Sequence, residues 1–314
     1  METIFISATF LVAVLFFLSQ SLSKGVGTVG GALKQVGLFI LRKNPPGLVD
    51  IFDDRDGSGS RTWMNFGMLW LVFATLLGFL MGWHTYDPTA LDSLASVGWS
   101  YDDGSSLADA TLNFLTIALL YGLIGSGMVA TARNGNGRLA SEANASMVAV
   151  LLSAVLVATY ILPFIFGFLD IDTDEGGVAI LLYSLETLAV GMLLIPVFIN
   201  LLITAADRGE QALQTSVWFL LMGVAAYILS MLYMFFGELI GATQTVWLAE
   251  RVAHGWVPLA LMFSVGYHVI PMTAEQPIWS GSMRTASMFL LFITVPPFFM
   301  TCLLYTSPSP RDVH

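Results

Sequence analysis

Cysteine is almost absent. Cys302 is the only one in 314 residues, which excludes an internal disulfide and any cysteine-based metal cluster. Charge is scarce too: 11% of residues are charged, where soluble domains carry about a quarter. Bases are scarcer than acids, 12 against 22, and the net charge is −10. Such a chain offers no basic field for nucleic acid. It contains no Gly-rich phosphate loop, no catalytic Ser/His/Asp order and no zinc spacing. The short alternating strands of a membrane barrel are missing as well.

Long apolar runs take up most of the chain, which is 56% hydrophobic. Runs apolar on every face predict membrane-spanning helices, because only helices and closed barrels satisfy their backbone in lipid. The expected fold is all-α, a polytopic bundle of about eight spans: Ile4–Leu22, Thr62–His84, Leu107–Ala132, Asn144–Leu169, Gly177–Thr204, Gln214–Phe236, Trp247–Ile270 and Arg284–Leu304. The first lacks a basic n-region and an Ala-x-Ala cleavage site, so it reads as a retained anchor. Basic residues mark alternate loops: Lys24 to Arg61 before the second span, Arg133 and Arg138 after the third, Arg208 after the fifth and Arg284 after the seventh. The loops between carry acids such as Asp87, Asp102, Asp172 and Glu175 and no base. The positive-inside rule then sets the N-terminus outside a cell membrane and the long first loop in the cytoplasm. The Asp-rich, Lys-poor surface points to a high-salt habitat, where ions screen its self-repulsion.

Three regions are expected. Residues 1–61 form an anchor span and cytoplasmic linker. Within it, Val26–Leu41 is weakly amphipathic and suited to the membrane surface. The stretch Asp53–Ser60, DDRDGSGS, resembles a calcium loop but lacks the closing Glu, and reads as a solvated linker. Residues 62–301 form the helix bundle. Residues 302–314 are a doubtful tail, since Cys302–Asp312, CLLYTSPSPRD, looks like a translated sequencing adapter. The natural frame is then expected to run on past Thr301.

Charged groups within a span are costly and mark functional candidates. The seventh span begins with Glu250, Arg251 and His254. Glu250 and His254 are four residues apart and share a helix face. Such a pair suits a proton, a metal or an ion; equally, Glu250 and Arg251 serve as interfacial anchors and His254 as a packing residue. Glu186 is the one acid deep inside a span, suited to a proton or ion path or to a buried neutral role. His268 near the inner surface, His84 in an aromatic belt and Asp109 at a helix start all read as structural.

Tyr267–Ser280, YHVIPMTAEQPIWS, resembles the haem–copper oxidase superfamily, specifically the catalytic subunit of cbb-type cytochrome c oxidases and their nitric oxide reductase relatives. Tyr267, Pro271, Ala274, Pro277 and Ser280 match that family's sixth-to-seventh helix turn, with Trp279 replacing a tyrosine. Trp247 and Gly255 fit the start of the same helix. The resemblance implies a respiratory membrane subunit that passes electrons through haem to a haem–metal centre of copper or iron, reducing oxygen or nitric oxide while protons cross the bundle. A cytochrome c subunit would be its partner, and no nucleic acid. His254 is then the expected metal ligand, Glu250 its proton partner, and both Glu250 and Glu186 the catalytic proton groups. The departures are clear. Gapless matching puts Arg251 at the family's copper-ligand histidine, Asp109 and no histidine near its low-spin haem ligand, and Val295 at its cross-linked tyrosine. A haem-free structural paralogue and an ion or solute transporter are the alternatives.

Overall fold

The structure, a computed structural model, describes residues 54–92, 104–168, 178–207, 213–276, 281–282 and 284–291. The described residues are helical, without strands. In order they form α1 (Ser58–Tyr86), α2 (Gly104–Asn134), α3 (Glu142–Phe168), α4 (Val178–Ala206), α5 (Thr215–Ile240), α6 (Thr243–Arg251), a π turn (Val252–Trp256) and α7 (Val257–Ala274). A further helical segment covers 284–291. Among the described residues, six helices are long and apolar enough to cross a membrane, the sixth being α6 to α7 taken together. The chain is thus a multi-pass membrane protein, and the six spans coincide with the second to seventh expected from sequence. The expected first span lies outside the described residues, as do most of the eighth and the tail.

Large apolar side chains face outwards along the helices, among them Leu69, Phe73, Phe79, Trp218, Phe236 and Phe263. Small polar groups lie inside: Thr62, Ser146, Ser153, Asn200, Thr204, Ser230 and Ser264 are buried. Lipid tails are as apolar as leucine, so helices associate through close packing and interhelical hydrogen bonds rather than by hiding apolar surface.

The chain divides into two compact units. One holds α1, α3 and α2 as far as Gly122; the other holds the rest of α2, the loop to Ser141, and α4 onwards. In the first unit, Gly67 of α1 lies against the α2 backbone. A Cβ there would meet the Gly122 nitrogen at 3.0 Å and the Ala118 oxygen at 3.1 Å. Hydrogen bonds run between the helices beside this approach. The Trp70 indole donates to Ser153 Oγ (3.1 Å), which donates to the Tyr121 hydroxyl (2.8 Å), which donates to the Ala149 carbonyl (3.0 Å). The Trp63 indole donates to the Ala145 carbonyl at 2.9 Å.

The ends of α1 and α3 are joined by exchanged caps. The fully buried Glu142 accepts from the Gly57 and Gly59 amides, at 3.0 and 2.9 Å, at the start of α1. Asp54 in turn accepts from the Glu142 amide at 3.0 Å at the start of α3. Each carboxylate satisfies amides that a helix start leaves unpaired and meets the positive end of its dipole. DDRDGSGS is therefore not a solvated linker throughout: Ser58 and Ser60 are buried, and α1 begins four residues before the expected Thr62.

In the second unit, Asn200 of α4 holds the α2–α3 loop. Its Nδ2 donates to the Ser141 carbonyl at 2.6 Å and its Oδ1 accepts from the Ser141 amide at 3.1 Å. Ser264 of α7 donates to the Ser216 carbonyl of α5 at 2.7 Å. Two contacts hold the 284–291 segment: the Trp256 indole donates to the Leu291 carbonyl (3.1 Å), and the Tyr267 hydroxyl meets Ser287 Oγ (2.6 Å).

Candidate functional site

The sixth span is not a plain α-helix. The turn Val252–Trp256 is π-helical, and Pro258 follows it at the start of α7. Proline has no amide to give to the carbonyl four residues back, and its ring crowds that carbonyl. Here that residue is His254. A widened turn relieves the clash, and π turns of this kind are common at functional sites. The expected Glu250–His254 pair thus straddles a local irregularity.

Within this turn, His254 is exposed and its Nδ1 donates to the Glu250 carbonyl at 3.0 Å. The carbonyl partner requires a proton on Nδ1, so Nε2 is the ring nitrogen that a metal would take. Glu250 is half-buried on the same stretch. Arg251 is exposed, its guanidinium 5.2 Å from the centre of the Trp247 ring. That stacking is what an interfacial anchor does, and a guanidinium cannot bind metal because it stays protonated.

Glu186 sits on α4, half-buried, about 12 Å along the helix at 1.5 Å per residue. Tyr227 of α5 lies within its electrostatic reach. The structure thus joins His254 to the Glu250 backbone carbonyl rather than to its carboxylate, and sets Glu186 within electrostatic range of Tyr227 on a neighbouring helix. Tyr227 had not been singled out in the sequence, because nothing local links positions 186 and 227.

Of the other candidates, His84 is in the last turn of α1, with Nδ1 buried and without a hydrogen-bond partner among the described residues. Asp109 lies in the second turn of α2. His268 is half-buried on α7, and Arg133 Nη1 is 3.5 Å from its Nε2.

Among the described residues, no three His, Cys, Asp or Glu side chains come together to hold a metal ion. The described residues therefore offer no multi-ligand site for copper. No family model, no curated protein and no solved structure matches the chain.

Proposed function

We propose that the chain is a membrane subunit of a respiratory terminal oxidase or nitric oxide reductase, resembling the cbb-type haem–copper class. The observation that carries this reading is the Tyr267–Ser280 resemblance at the end of the sixth described span. The described ends of that turn support it: α7 stops at Ala274, and Tyr267 bonds to Ser287 on the segment after it. Within this reading there are about eight spans, the N-terminus is outside, and a cytochrome c subunit is the partner. Glu186 with Tyr227, and Glu250 beside His254, are the proton-handling candidates.

A specific observation favours a second form, a haem-free paralogue that serves the complex as scaffold. Gapless matching to that family sets Arg251 at the copper-ligand position, and the Arg251 guanidinium stacks on Trp247 instead of leaving room for an imidazole there. The test is purification of the full-length protein from its native membrane, followed by metal analysis and a pyridine haemochrome spectrum. Haem and copper or iron in the preparation support the redox form. A metal-free chain that co-purifies with a cytochrome c subunit supports the scaffold form. A chain with neither overturns both and leaves transport through Glu186 and the Glu250–Arg251 pair.

A further inference from the structure

At the other end of the sixth span is a cleft of about 570 Å³, lined by Arg133, Arg284, His268, Glu275, Gln214 and Thr215 among others. All of these belong to the second unit. Arg133 ends one span, Thr215 starts another and Glu275 follows the end of a third, so the cleft lies at the level where spans leave the hydrocarbon. We propose that it binds a phosphate-bearing anion, either an anionic lipid headgroup or a soluble phosphate. This assignment is independent of the respiratory reading.

Three features support it. Among the described residues, two guanidiniums line the cleft against a single carboxylate, Glu275. Neither arginine is paired with a carboxylate among the described residues; Arg133 contacts the His268 ring and the Met272 sulfur instead. Guanidinium matches phosphate oxygens in a two-pronged geometry, and basic pockets between spans at headgroup level take lipid phosphates. The start of α5 also lines the cleft. Gln214 gives that helix no side-chain cap, so its positive end adds to the field.

The test uses the full chain in phosphatidylcholine-containing micelles. Native mass spectrometry follows added phosphatidylglycerol, and calorimetry follows inorganic phosphate. Wild type is expected to retain phosphatidylglycerol in preference to phosphatidylcholine. Arg133→Gln with Arg284→Gln weakens it roughly tenfold or more per arginine, and Arg251→Gln, at the far end of the span, leaves it unchanged. Gln276→Glu keeps both arginines, adds a carboxylate at an exposed lining position and weakens binding without disturbing packing. Inorganic phosphate bound with the same arginine dependence, and no preference among lipids, assigns the soluble source. Binding of neither probe, or binding indifferent to the arginine pair and to Gln276→Glu, overturns the proposal.

Discussion

Glu142 shows how much rests on single side chains. It is fully buried and closes the start of α1 with two charge-assisted bonds. Glu142→Ala is expected to cost about 1–2 kcal/mol or more, the loss of a helix cap, and Glu142→Gln less, since one acceptor oxygen remains. Denaturant unfolding of the purified chain measures both. Tyr121→Phe breaks the Trp70–Ser153–Tyr121–Ala149 chain and is expected to cost about 1 kcal/mol, near the modest net worth of interhelical bonds in membranes. His254 behaves differently. Its imidazole is exposed and bonds only to its own helix, so His254→Ala should shift stability by under about 0.5 kcal/mol. A loss as large as that of Glu142→Ala would mean that His254 holds something further. The sequence could flag His254 and Glu186 because a charged or imidazole group in an apolar run is visible locally. It could not show Glu142 reaching Gly57, or Tyr227 near Glu186, because such partners are distant in the chain.

At the scale of elements, close approach and local irregularity decide the packing. Gly67→Leu would place a side chain where the α2 backbone already lies about 3 Å away. Overpacking of this kind is expected to cost about 1–3 kcal/mol, with melting of the detergent-solubilised protein as the readout. Gly67→Ala should show a smaller drop. The six spans were legible from apolar runs, with ends displaced by a few residues. The π turn was not anticipated: Trp247–Ile270 reads as one uniform span, and only the structure shows the widened turn before Pro258. The start of α1 was hidden because Asp, Gly and Ser read as linker. Only the carboxylate caps make that segment a helix start.

For the whole molecule, the residues that dominate the sequence reading and those that dominate the structure differ. Sequence draws attention to the Glu250–His254 end of the sixth span, where the family resemblance places metal chemistry. The structure also shows a cleft at the opposite end, around Arg133 and Arg284, two residues whose sequence role is to mark orientation. If the positive-inside rule holds for this chain, both arginines lie on one side of the bilayer.

Everything at this scale depends on the six helices crossing the bilayer in alternation. The direct test is cysteine labelling in a Cys302→Ser background. Single cysteines are placed at the exposed positions Asp87, Gln244, Asn136 and Gln276. A membrane-impermeant maleimide on intact cells should modify the first two, and the last two only after permeabilisation. Equal labelling of all four in intact cells would contradict the alternating bundle, and with it the reading of the Arg133 cleft and the His254 turn as opposite ends of one span.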